Sequence, residues 1–302
     1  MSRRNRKSMP IWRILRIAVM TLLLLCLMLL AFGYFIGSRQ FIVHQQTFYF
    51  KDLPEEFDGY RVLQFADLHM ATFKKGHESD LDTIISLINR QKCDVVLFAG
   101  DIICKNSKEL DGYRRKLKKI TAADGVYAVM GNHDYGTYNG FKSESDRLVD
   151  IDELQRKMES YGWRVLLNDH VMINRGKSHI AIVGSENDGN RPFPSLGNLP
   201  KASKGLKKTD FCILLTHDPT HWRRKILPQT SFQLTLSGHT HAGQFKIFGW
   251  SPCSLRYPEW SGVYMEKDQI LNVTEGVGNS IIPFRFGAWP EINVITLKRI
   301  VK

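Results

Sequence analysis

The side chains best suited to chemistry in this sequence come in short polar groups: Asp67-x-His69, Gly100-Asp101, Gly131-Asn132-His133-Asp134, His217-Asp218 and Gly238-His239-Thr240-His241. Five of the ten histidines lie in these groups. Carboxylate and amide oxygens with imidazole nitrogens suit Mn, Fe, Zn, Mg or a similar divalent ion, whereas copper or iron-sulfur chemistry would ask for thiolates. More than half a dozen such donors would crowd one ion. Two ions sharing a bridging carboxylate, about 3.5–4 Å apart, use them naturally and suit in-line displacement at phosphorus. Taken singly, each group also reads as an ordinary Asn/Asp/Gly turn, or, for His217, as a satisfied core histidine. Their conjunction is what points to a site.

The elements that must position these groups are apolar strands. Residues 61–66, 94–99, 126–130, 211–216 and 232–237 are rich in β-branched, aromatic and leucine side chains, and each run stops within a residue or two of a polar group. Five strands are thus expected to bring their ends to one rim, where open α/β sheets place their sites. Residues 79–89, 113–120 and 146–161 have helical character, the last ending at Gly162. Strand and helix alternate, which predicts βαβ crossovers and a parallel core. Later, 165–167, 171–174 and 179–183 are short strands between Asn, Gly and Asp turns, which predict antiparallel hairpins in a second sheet. The loop 243–260, with Phe245, Phe248, Trp250, Tyr257 and Trp260, is expected to pack as core; lining a lipid or nucleobase pocket is the alternative.

With 302 residues and 43% hydrophobic content, the chain can bury one large core, which excludes disordered and collagen-like classes. Of the net charge of +12, about half belongs to Arg3, Arg4, Arg6, Lys7, Arg13 and Arg16, ahead of the first apolar run, so no dedicated nucleic-acid surface is evident. Residues 17–36 carry no charge, long enough to span the roughly 30 Å hydrocarbon layer. The expected organisation is a basic cytoplasmic tail (1–16), a transmembrane helix (17–36), a linker and entry strand (37–57) and a catalytic domain (58–302). The excess of Arg and Lys before the span places the tail inside and the domain outside a bacterial inner membrane, crossed once. Cysteine spacing suggests neither zinc nor a disulfide framework. The basic runs 201–208 and 223–225 are expected to be solvated faces, with anionic lipid headgroups as the minor alternative.

In their order along the chain, the five groups resemble the calcineurin-like metallophosphoesterases from about Tyr60 to the C-terminus. Residues 238–244 and 275–291 resemble the bacterial YaeI/YkuE-type branch, phosphodiesterase-like proteins that often carry an N-terminal export or membrane segment. The resemblance implies a four-layer αββα sandwich with a dimetal site at its rim. Asp67, His69 and His241 would hold one ion, Asn132, His217 and His239 the other, and Asp101 would bridge them. His133 matches a histidine that lies beside the ions without ligating either and assists the transition state or the leaving oxygen. Hydrolysis would proceed by in-line attack of a hydroxide bridging the ions. Where many members carry a second acidic residue three positions after the Gly-Asp aspartate, this chain has Cys104, which puts contacts outside the ligand set in doubt.

Arg285, in a Gly/Pro-flanked loop, is expected to hold the substrate phosphate as a planar donor fork, with a surface ion pair as the alternative. The leading expectation is an outward-facing, membrane-anchored phosphodiesterase acting on a lipid headgroup, an envelope component or a nucleotide. A UDP-2,3-diacylglucosamine-type pyrophosphate hydrolase of lipid A synthesis on the cytoplasmic face, and a non-catalytic scaffold, are the alternatives.

Overall fold

The computed structural model describes residues 9–74, 77–280 and 282–301. Four basic residues of the N-terminal tail, Arg3, Arg4, Arg6 and Lys7, lie outside that range.

The apolar runs pair into two six-stranded sheets, with strands numbered in chain order. The first sheet runs β1 (Ile42–Phe50), β12 (Glu291–Arg299), β2 (Arg61–Phe65), β3 (Val95–Phe98), β4 (Val126–Ala128) and β5 (Trp163–Val165). The second runs β10 (Gly262–Glu266), β11 (Gln269–Val273), β9 (Leu234–Ser237), β8 (Phe211–Leu215), β7 (Ser178–Gly184) and β6 (Asp169–Arg175). Within each sheet the pairings are parallel except β12 with β2, β10 with β11, and β6 with β7.

Side chains such as Val62, Val95, Leu97, Ile182, Ile213, Leu215, Leu236 and Ile295 fill the space between the sheets. On the outer face of the first sheet, α2 (Glu78–Arg90) contributes Leu81, Ile84, Ile85 and Ile88; the single turn α3 (Arg114–Leu117) contributes Leu117, and α4 (Glu144–Ser160) Leu154 and Met158. These α2 positions follow the i, i+3, i+4, i+7 spacing of one helix face. Beyond the second sheet, α5 (Leu199–Ala202) and the helical segment Trp222–Ile226 bury Leu199, Ala202, Trp222 and Ile226. Helix, sheet, sheet and helix form the four layers that the resemblance implied.

Two local expectations change. The stretch 165–167 begins in β5, which adds to the first sheet parallel to β4, and β7, β8, β9 and β11 also run parallel. The hairpin expected between 171–174 and 179–183 forms as β6–β7, whereas the apolar run at 165–167 does not join it. Within 37–57, where an entry strand was expected, β1 pairs with β12 along all nine of its residues. Residues 223–225 are engaged in ion pairs: Arg224 and Lys225 hold the buried Asp188, and Arg223 holds Glu259 and Glu266.

The first helix, α1 (Ile11–Phe35), starts ahead of the uncharged run and includes Arg13 and Arg16, whose unbranched stems suit a helix. At 1.5 Å per residue, its 25 residues reach about 38 Å, and its composition makes it a candidate membrane anchor. Gly33 is its only buried residue. There the helix meets the domain: the Gly33 carbonyl accepts from Arg285 N (3.1 Å), and the Phe32 ring lies 6.0 Å from Phe286 and 6.2 Å from Trp289. Just beyond, a Cβ at Gly37 would fall 2.0 Å from the Arg285 carbonyl oxygen. Gly37→Ala should therefore loosen this junction, raising amide hydrogen exchange across residues 284–289 by about tenfold while that of β3 and β8 stays unchanged.

Candidate metal centre

The carboxyl ends of β2, β3 and β4 in one sheet, and of β8 and β9 in the other, meet at a common rim. Each strand ends in a tight turn that throws its next residues into the gap. Gly100 and Gly131 make the approach possible: Gly100 has φ +95°, and a Cβ there would lie 2.7 Å from Gly131 N and 2.8 Å from His217 Nδ1. A Cβ on Gly131 would lie 2.2 Å from Asp101 Oδ1. Asp67, His69, Asp101, His239 and His241 all hold left-handed backbone, with φ between 46° and 78°. Such conformations cost a non-glycine residue on the order of 1–3 kcal/mol and persist where the surroundings enforce them.

Two carboxylates do much of that enforcing. Asp134 accepts from the backbone N–H groups of Gly131, Asp101, Ile102 and Ile103 at 2.8–3.2 Å, tying the turn after β4 to the turn after β3. Glu109 accepts from Ala71, Cys104, Lys105 and Asn106 N–H groups at 2.7–3.3 Å. At position 104, where many members of the family resembled carry an acid, this chain has Cys104, whose segment is held by Glu109 from five residues downstream.

The structure brings together all eight rim residues. Asp67, His69 and His241 offer donor atoms within 4.8 Å of one another, as do Asp101, His217 and His239, and also His69, Asp101 and His133. Asp101 Oδ2 lies 3.1 Å from His217 Nε2 and 3.8 Å from His69 Nε2. Asn132 Oδ1 lies 2.7 Å from His239 Nδ1 and 3.1 Å from His217 Nε2. Asp67 Oδ1 is 3.4 Å from His241 Nε2.

The donor set fits divalent cations. His217, His69 and His133 each donate from Nδ1 to a backbone carbonyl, of Ala99 (2.7 Å), Ile103 (3.2 Å) and Cys104 (2.7 Å) respectively. That fixes the tautomer and leaves each Nε2 lone pair free for the gap, as outer hydrogen bonds do for metal-ligating histidines. At His241, Nε2 faces the same gap, 3.0 Å from His69 Nε2, and Arg285 Nη2 lies 3.0 Å behind Nδ1. Electrostatics agree. Burial, reinforced by the charge of Asp101 and opposed by His217, pushes Asp67 up to about 7. Burial also drives His69 down to about 3 and His239 down to about 4. It works against His217 too, yet Asp101 and Asp67 raise that imidazole to about 10. A pocket that must protonate a carboxylate or charge an imidazole to balance itself is short of positive charge, which divalent cations would supply.

Arg285 departs from its expected place. It is fully buried, with Nε and Nη2 donating to Gly278 O, Nη1 to Ala288 O and Nη2 also to His241. Enclosed behind His241, with its donors turned to Gly278, Ala288 and that ring, it supports His241 instead of meeting a substrate phosphate. The sequence reasoning also missed the tyrosines of the rim. Tyr138 stacks on His133 at 4.1 Å and accepts from Asn132 Nδ2 (3.0 Å), while the Tyr257 hydroxyl lies 2.9 Å from His239 Nε2. Tyr138 lies only six residues after Asn132, but nothing in its type marked it; Tyr257 had been assigned to general loop packing.

Known proteins place the chain. The family model for the calcineurin-like phosphoesterases matches residues 60–243. The chain is 31% identical over 262 residues to the uncharacterized metallophosphoesterase YkuE of Bacillus subtilis, covering 82% of each. To a transmembrane protein with metallophosphoesterase domain from Danio rerio it is 29% identical over 255 residues, covering 82% of this chain and 55% of that one. To the uncharacterized metallophosphoesterase YkoQ of Bacillus subtilis it is 28% identical over 240 residues, covering 76% of this chain and 81% of that one. The chain belongs to the calcineurin-like phosphoesterase family.

Stripping divalent ions with a chelator should lower Tm by about 10 °C, reversibly, since a ligand at a thousandfold its Kd adds about 4 kcal/mol. Glu109→Gln weakens the grip on the Cys104 carbonyl that orients His133. Steady-state kinetics on a phosphoester should then show kcat reduced about tenfold, with KM and bound metal unchanged.

Proposed function

We propose that this family member is a membrane-anchored phosphodiesterase with two divalent ions, one held by Asp67, His69 and His241, the other by Asn132, His217 and His239. The observation that carries the reading is the position of Asp101, whose carboxylate lies between the two donor groups and within 4 Å of an imidazole nitrogen from each. Bound there, the ions supply a nucleophile at neutral pH and offset charge on the phosphoryl oxygens.

The chain's own residues do the rest. The Cys104 carbonyl accepts from His133 Nδ1 and turns Nε2 toward the gap, so that as the imidazolium the ring can carry a proton toward the ester. As the water oxygen bonds to phosphorus and the P–O bond to the leaving group breaks, that proton passes to the departing oxygen. Among the described residues, the only Lys or Arg hydrogen-bonded to one of these ligands is Arg285, behind His241. The rim is aromatic instead: Tyr138 on His133, with Phe193 and Tyr257 on His239. Flat aromatic faces, with Arg256 lying 5.8 Å over Tyr257, suit a singly charged diester with a second substituent better than a monoester dianion. The Arg and Lys residues ahead of α1 support a cytoplasmic N-terminus and a domain outside the cytoplasm.

With Mn present, bis-p-nitrophenyl phosphate should be hydrolysed with a kcat/KM at least about tenfold above that for p-nitrophenyl phosphate. His133→Ala should reduce kcat by about 10²–10⁴ while leaving the bound ions in place. A preference for the monoester would contradict the diester assignment, and absence of turnover with both ions bound would favour a non-catalytic scaffold.

A further inference from the structure

The expectation that loop 243–260 packs as core fails at its tip. Ile247 and Trp250 exchange backbone hydrogen bonds at 2.9 Å in each direction, closing a two-residue turn with Phe248 at φ 48° and Gly249 at φ 77°. Asn or Gly usually takes the first of these positions, so an aromatic residue there holds a strained backbone without any burial in return. Phe248 is fully exposed, and Ile247, Trp250, Leu255 and Ile282 are exposed as well. Residues 247–255 carry no charge. An apolar protrusion of this kind marks an interaction surface.

Its location indicates what covers it. The base of the loop is tied to the segment that receives α1: Lys246 N donates to Phe286 O (2.7 Å), Phe286 N donates to Gln244 O (3.0 Å), and the Phe245 and Phe286 rings stack at 5.8 Å. Phe286 in turn touches Phe32. Phe32 and Gly33 lie inside the uncharged run 17–36, so the domain meets α1 at the depth of its last apolar turn. The far side of the loop is fastened to the metal centre, where Ser251 donates to Ala242 O (2.7 Å) and Tyr257 meets His239. Phe248 lies only seven positions after His241, at most about 25 Å of extended chain.

We propose that the 247–255 loop, with Ile282, dips into the bilayer leaflet that receives the C-terminal end of α1, so that the metal centre opens toward that surface and takes a phosphodiester carried by an amphiphile. The inference rests on α1 being a membrane span and on the phosphodiesterase reading. Aromatic and aliphatic side chains on a turn without charge are suited to the interfacial zone. Tyr257 and Ser251 make the same loop both the contact with lipid and a wall of the site.

The test uses the full chain in phosphatidylcholine/phosphatidylglycerol vesicles, with p-benzoylphenylalanine incorporated in place of Phe248, of Leu23 within α1, or of Leu148 on α4. On irradiation, positions 23 and 248 should give lipid adducts and position 148 none. Lipid capture at 23 with none at 248, or a chain-to-chain adduct at 248, would overturn the docking and leave the anchor intact; failure at 23 would remove the anchor itself. The combined Phe248→Ser and Trp250→Ser variant separates substrate class from docking. It should lose about tenfold in kcat/KM on hexadecyl p-nitrophenyl phosphate held in vesicles, and stay within about twofold on soluble bis-p-nitrophenyl phosphate. Equal effects on both esters, or none on either, would refute the amphiphile assignment.

Discussion

Five of the residues around the metal centre hold left-handed backbone, and most of the structure near the rim serves to keep them there. A strand that ends in this conformation turns its next side chain sharply aside, which is how residues from two sheets come to face one gap. The conformation is unfavourable for Asp and His, so it must be secured from outside. Asp134 and Glu109 do this by collecting four backbone N–H groups each, and Gly100 and Gly131 allow the turns to approach without collision. The two sheets supply rigidity behind the turns through a continuous apolar core. Buried charge is the second half of the constraint: with Asp67 and Asp101 fully enclosed, the rim is balanced only by protonation or by cations.

The same rim is mechanically connected to the N-terminal helix. Arg285 donates through its backbone to Gly33 and through its guanidinium to His241, so one residue joins the end of α1 to a proposed metal ligand. Through Phe286 the helix also reaches the apolar loop, and through Tyr257 that loop reaches His239. The N-terminal helix, the loop and the candidate site are therefore joined by continuous contacts.

Much of the centre was legible in the sequence because its logic is local: an apolar run followed at once by Asp, Asn or His. The four layers were legible only through the family resemblance, and 165–167 was assigned to the second sheet although it begins in the edge strand of the first, because a short apolar run between turn residues has the same composition in either sheet. Contacts closed by the tertiary fold were invisible. Glu109 carried no signal of its own in the sequence, and Arg285 looked like a phosphate clamp because burial cannot be read from a loop flanked by Gly and Pro. Phe248 was expected inside on hydrophobicity alone, yet the turn that carries it points outward. The extent of α1 was underestimated because Arg13 and Arg16 interrupt hydropathy without interrupting a helix.

The central claim is that this rim holds two divalent ions with Asp101 between them. Native mass spectrometry of the full chain, released from detergent after loading with Mn, counts bound ions directly. The account predicts two per chain for the wild type and at most one for Asp101→Ala, with His133→Ala still binding two. A wild-type chain that saturates with a single ion, or an Asp101→Ala chain that keeps both, would contradict it.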